Sequence, residues 1–174
     1  MSDAHTSDAG GERPAIVDVL LVIDTVTLLD RHPEAADNPV TVDGDGCYAL
    51  APDANALDGV NAAPWPVDVH TGDRLRLRWT PLAMRGEHAV LLQLSLADAS
   101  SLSGLQLHVH EHATRYAPQP GDPQVSVARA APDAFWQADV VASGTAQVDV
   151  EAIVTDRDAN VLARLRWPLR VVVP

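Results

Sequence analysis

Several things are scarce in this chain, and each shortage excludes something. Cys47 is the single cysteine, so no intrachain disulfide can form. Aromatic residues make up 4% of the chain, so any core has to be assembled mainly from Val, Leu, Ile and Ala. Positive charge is short as well: 12 Lys and Arg against 24 Asp and Glu leave a net charge of −12. Sequence-independent binding to nucleic acid needs a basic footprint to neutralise phosphates, so it is excluded as a role. Adsorption to anionic membranes is excluded on the same ground. No apolar run reaches the ~20 residues of a membrane-spanning helix. Met1 to Arg13 is polar and lacks the apolar segment of a secretory signal, so a cytoplasmic location is expected, with non-classical secretion leaving no mark to read. There is no phosphate loop, no dinucleotide fingerprint and no Gly-x-Ser-x-Gly elbow.

What is present is a pattern of short, alternating segments. The 13 prolines are spread along the chain and favour many short elements over long helices. A length of 174 residues predicts one domain, burying roughly 70% of the surface its unfolded chain exposes. Residues 1–13 predict a disordered tail and residues 14–174 the domain. The longest apolar run, Ile16 to Asp30, predicts a buried strand to Asp24 that serves as a central strand for the rest. Thr25 to Asp30 either continues it or forms a helical turn.

Leu75, Leu77 and Trp79 alternate with Arg74, Arg76 and Arg78, a period of two with one dry and one wet face. Leu105, Leu107 and Val109 alternate with Gln106, His108 and His110, and Val148, Val150, Ala152 and Val154 share a face. Ala163 to Val173 alternates with Arg164, Arg166 and Arg170, and Pro168 in that run implies an edge, a bulge or a bend. Tyr116 to Pro123 reads as a proline-rich loop and Pro132 to Trp136 as a loop or a single helical turn. His88 to Leu96 reads as another apolar strand, with a short helix over Ala83 to Ala99 as its competitor. Asp156 to Asn160 reads as a hairpin loop. The total is roughly eight to ten short strands, which predicts an all-β, antiparallel β-sandwich of Ig-like or jelly-roll-like kind.

Few residues point to chemistry. His108, His110 and His112 share one face if the strand is regular, and three imidazoles with an open fourth position can hold Zn²⁺. Three ligands from one strand strain that geometry, and a fourth such as His70 or His88 has to come from elsewhere. The plainer reading is a solvated strand face, and no cofactor is expected. Asp43–Gly46 and Asp156–Asp158 resemble fragments of calcium loops but lack the closing Glu, and read better as tight turns. Cys47 has no basic neighbour or helix N-terminus to activate it, and Ser100, Ser101 and Ser103 lie in a loop without an elbow. The Arg74/Arg76/Arg78 and Arg164/Arg166/Arg170 rows read as solvated faces whose stems cover apolar neighbours, with pairing to acidic strands or to another subunit as the alternative. Trp65 between two prolines, and Trp136 beside Phe135, offer stacking platforms in loops for a carbohydrate or small molecule, or else plug the ends of the core.

Several pieces in order carry a family resemblance. They are Ile16 to Thr25 with Leu28 and Leu29, Asp37 to Pro39, Val42 and Asp43 ahead of Tyr48, the Gly72–Asp73 turn into the strand ending Arg78–Trp79, Asp156 to Asp158, and Leu165 to Pro168. Together they span nearly all of the chain beyond the tail and resemble the PixA/AidA inclusion-body proteins of bacteria. The chain departs from that pattern in the less aromatic Gly44–Leu50 segment, and with only Met1 and Met84 it does not suit a methionine store. The resemblance implies a β-sandwich, no enzymatic activity, packing into intracellular inclusions, and links to quorum sensing or host interaction. It carries no catalytic residues over. A homo-oligomer, dimer or larger, is the expected partner, built through exposed sheet edges. Beside the resemblance, Asp18 reads as a polar group needing a buried partner and Asp24 as a strand-ending residue.

Overall fold

The computed structural model describes residues 14–52, 65–66, 69–83, 85–98 and 100–174. The expected tail, residues 1–13, lies outside the described residues, as does most of the loop before Trp65. The strands are β1 (Ile16–Ile23), β2 (Val40–Thr41), β3 (Cys47–Leu50), β4 (Trp65–Pro66), β5 (Arg74–Pro81), β6 (Ala89–Leu96), β7 (Leu102–Gln119), β8 (Asp122–Val140), β9 (Gly144–Thr155) and β10 (Val161–Val173). One helix, α1 (Thr25–Arg31), and a 3-10 turn at Pro33–Ala36 follow β1. Two sheets form a β-sandwich: β3-β1-β5-β8-β7, and β2-β10-β9-β6 with β4 also paired to β10. Both sheets are mixed, because β1 runs parallel to β5 and both β2 and β4 run parallel to β10.

The core is where the period-two faces meet. Val17, Val19, Leu21 and Ile23 of β1 and Leu75 and Leu77 of β5 lie in one cluster with Val90, Leu92 and Leu94 of β6 and the alternate residues of β9 and β10. Two indoles stitch the sheets together: Trp79 Nε1 donates to Val90 O at 2.8 Å and Trp136 Nε1 to Leu92 O at 2.9 Å. Aromatic area is scarce, so the layers rely on aliphatic packing and on these indole bonds. Among the described residues no helix is long and apolar enough to cross a membrane.

Several expectations change. β1 is an interior strand, but its burial alternates rather than being continuous, and Asp18 is on the open face, 3.7 Å from Arg78 Nε. It has no need of a buried partner. Asp24 ends β1 by capping α1: its carboxylate accepts from Thr27 N at 3.1 Å and from Thr27 Oγ1 at 2.8 Å, which satisfies an otherwise orphan helix donor. Gly46 closes the turn beneath that helix at φ +85°, and a Cβ there would stand 3.2 Å from Leu28 Cγ. The strand expected over His88 to Leu96 is β6, and the competing helix does not form there. Pro168 sits between the β2 pairing at Leu165–Arg166 and the β4 pairing at Val171–Val172. It therefore occupies a local edge of β10, where a missing N–H costs no ladder bond.

The largest departure lies between Leu102 and Val140. The loop in Tyr116 to Pro123 shrinks to the turn Pro120–Gly121, and the rest of it and Pro132 to Trp136 are strand in one long hairpin. β5 covers β8 only from Trp136 to Asp139. Beyond that, β7 and β8 pair only with each other among the described residues, forming a two-stranded arm that turns at Pro120–Gly121.

Candidate functional site

The densest group of functional side chains stands where the arm leaves the sandwich. β5 directs Arg74, Arg76 and Arg78 to the open side of its sheet; the β5–β8 register sets Arg74 and Arg76 beside Asp139 and Gln137, and Arg78 lies over the Phe135 ring. Arg74 Nε donates to Asp139 Oδ1 at 2.9 Å and Arg76 Nε to Gln137 Oε1 at 3.1 Å. Arg78 and Arg115 both donate to Asp133 Oδ1. Phe135, the only phenylalanine of the chain, points to the solvent side yet is 5% exposed. Four side chains cover it. The guanidinium carbons of Arg76 and Arg78 lie 4.9 and 4.8 Å from its centroid. The rings of His108 and His110 stack on it at 5.2 and 5.7 Å, tilted by 11° and 14°.

This is an ordered cation–aromatic cluster. Partial burial pushes the Asp133 carboxyl up, but the Arg78 hydrogen bond and the charges of Arg78, Arg115 and His110 together hold it below the usual carboxylate range. A carboxylate so held and doubly bonded by guanidinium is a poor proton acceptor. The arginine row does what its solvated reading requires, with stems and planar heads covering an apolar neighbour, and it also pairs with acids. On the other sheet Arg166 Nη2 lies 2.9 Å, and Arg164 Nη1 3.9 Å, from Glu151.

The sequence-predicted metal residues are not brought together. His108 and His110 share a face and are occupied with Phe135. The ladder slips between His110 and Ala113, so Glu111 and His112 lie in a β-bulge and His112 leaves the row. His88 Nδ1 is 2.8 Å from Thr25 Oγ1, and the His70 backbone N–H donates to Asp73 Oδ2 at 2.8 Å. Among the described residues no group of three or more His, Cys, Asp or Glu is placed to hold a metal ion.

The aromatic candidates also sit elsewhere than in loops. Trp136 is on β8 facing the second sheet, its indole N–H spent on Leu92 O. Trp65 is on β4 opposite Val171, and its side chain lies outside the described residues. Cys47 is buried, and burial pushes its thiol up to about 12, the reverse of an activated nucleophile. Ser101 is fully buried, and its hydroxyl has no hydrogen-bond partner among the described residues. The Asp156 carboxylate is filled from within its own loop by Asp158 N, Asn160 N and Asn160 Nδ2, each at 2.9 Å.

An open groove of about 400 Å³ crosses the outer face of the second sheet, lined by Gln93, Ser95, Asp149, Glu151 and Arg166. Its Arg166 and Glu151 are paired with each other. It offers a sugar no exposed aromatic platform among the described residues.

Sequence reasoning missed Phe135 as a site and the arm as an element. The signal for Phe135 was available: a lone phenylalanine two residues from Asp133, with His and Arg rows on outward faces. The arm left less to read, since its prolines argued for loops.

The comparisons agree on the fold. A family model described as PixA, inclusion body protein, matches residues 15–173. The crystal structure of an inclusion body protein (PixA) from Burkholderia cenocepacia J2315 superposes with a TM-score of 0.74 at 18% identity, covering 94% of this chain and 98% of that one. A cysteine protease inhibitor from Entamoeba histolytica aligns over 94% of this chain and all of its own, at 10% identity and a TM-score of 0.27, too low to carry an argument. No curated protein matches the chain.

Proposed function

The chain belongs to the PixA family of inclusion body proteins, and from that premise we propose that it is a non-catalytic protein whose work is to associate with itself at high concentration inside the cell. One observation carries the reading. In a chain of net charge −12, four of the eleven exposed large apolar side chains of the described residues lie on the one projecting hairpin β7–β8. Val109, Tyr116 and Val125 of the arm are 58%, 73% and 43% exposed, and Leu107 at its root is 42% exposed. Apolar groups on a protruding ribbon favour a protein partner over a small molecule.

The family supports packing into inclusions. The test is light scattering coupled to size exclusion on untagged protein over a wide range of concentration. A mass that rises with concentration is the expected result. A strict monomer at every concentration would sink the reading.

A further inference from the structure

We propose that two copies of this chain pair arm against arm, through the side of the β7–β8 ribbon that continues the core-facing side of its sheet. The inference rests on the self-association reading above and names its surface.

The register defines that side. On β8 it runs Trp136, Ala134, Ala130 and Ala128, because alternate residues share a face. Their partners on β7 are Leu107, Val109, Thr114 and Tyr116. Leu107 and Val109 are odd-numbered and Tyr116 is even-numbered. The extra residue of the bulge at Glu111–His112 rephases β7 and brings all three to one side. Inside the sandwich this side is covered, as the Trp136–Leu92 bond shows. Beyond it the same side is open, with Tyr116 at 73% exposure. An isolated two-stranded ribbon is marginal in water and needs a third layer or a further strand to hold.

Charge selects the occupant. Leu107 to Trp136 carries Glu111, Asp122 and Asp133 against Arg115 and Arg129, three acids and two bases, so its net charge is −1. Nearly all of the net charge of −12 therefore resides on the rest of the chain. Two copies approaching body to body repel, while two arms hardly do. The opposite side of the ribbon suits pairing less well. Arg115 stands directly across from Arg129 there, and Arg115 reaches Asp133.

Area sets the strength. Leu107 to Gln119 spans about 44 Å at ~3.4 Å per residue, and two strands are about 10 Å wide. The footprint is about 450 Å² per copy and about 900 Å² for the pair, below the ~1,200 Å² at which stable interfaces begin. The pair is thus weak at low concentration and populated where the protein is crowded.

The experiment compares Val109→Glu/Tyr116→Glu with Leu91→Glu/Val161→Glu by light scattering over concentration. Both variants add two negative charges at exposed sites, but Leu91 and Val161 lie on β6 and β10, off the arm. Circular dichroism confirms that each is folded. Wild type and the Leu91/Val161 variant are expected to rise by about twofold in mean mass, and the arm variant to stay monomeric. Association of the arm variant like wild type would overturn this surface while leaving self-association standing. Equal loss in both variants would assign the effect to net charge and overturn it too. A wild type that never associates would remove both readings.

Discussion

Truncating Phe135 to Ala tests whether a ring on the solvent side of a sheet is held as firmly as one in the core. The ring is 5% exposed, and its cover is Arg76, Arg78, His108 and His110 rather than a second sheet. A phenylalanine buries at least ~150 Å², which at about 25 cal/mol per Å² gives about 3–4 kcal/mol as an upper figure. Two guanidinium contacts at a partly exposed site add about 0.5–1 kcal/mol each. Opposing this, the arginine heads regain water when the ring is gone, and the long side chains collapse over the gap, so little cavity cost remains. The expected loss is about 3 kcal/mol, near the lower end of the 3–5 kcal/mol of a core Phe→Ala change. For a domain of this size that lowers the Tm by about 6–12 °C. Urea unfolding followed by tryptophan fluorescence reads it as a shift in midpoint at unchanged slope. Phe135→Leu keeps the apolar bulk and loses only the ring interactions, so it should lose about 1–2 kcal/mol. A loss below about 1 kcal/mol for Phe135→Ala would refute the burial argument. Equal losses for Leu and Ala would refute the cation–π part.

Two further expectations concern titratable groups. Folding holds the Asp133 carboxyl below its ordinary value of 3.8, so its stabilising share is present in full above the unfolded pKa and is lost as pH falls through the folded one. Asp133→Asn should cost about 1–3 kcal/mol at pH 7, because Arg78 and Arg115 lose a charged acceptor. The gap from wild type should then narrow as the pH is lowered past 3.8; a gap independent of pH would refute the assignment. Cys47, buried with its thiol raised to about 12, should react with a thiol reagent at pH 8 only as fast as the fold opens, and rapidly in urea. Fast reaction of native protein would contradict its burial.

The two sheets were legible wherever one face is dry and the other wet. Arg74–Thr80, Thr145–Thr155 and Val161–Val173 each alternate, and each is a strand with its apolar residues inside. Pro168 was readable as an edge signal for the same reason, since only the backbone N–H is at stake. Parallel pairing of β1 with β5 was not legible, because alternation fixes faces and not strand direction. Asp18 misled because a charge inside an apolar run looks buried until the partner face is known. Its neighbours across the ladder are arginines, which place it in water. Period two puts His108, His110 and His112 on one face only if the ladder is unbroken, and one bulge removes His112 from the row.

The arm is the case in which local rules point away from the structure. Ala113, Ala117, Ala128, Ala130 and Ala131 are weak strand formers, and Pro118, Pro123 and Pro132 lie within its strands. In a two-stranded ribbon every second backbone group faces outward, so prolines are tolerated there that a central strand would reject. Tolerance is not stabilisation, however. The root is fixed by Phe135 under its cations and by Asp133 bonded to two arginines, but Asp133 lies about halfway down the ladder and these contacts end near it. Beyond it remain small side chains, cross-strand arginines that repel, and the exposed Tyr116. Such a ribbon gains most from a layer laid over its apolar side. Sequence and structure therefore disagree over part of the surface where the proposed partner would dock: Tyr116 to Pro123 and Pro132 to Trp136 read as loops, and they lie in a strand pair in need of a third surface.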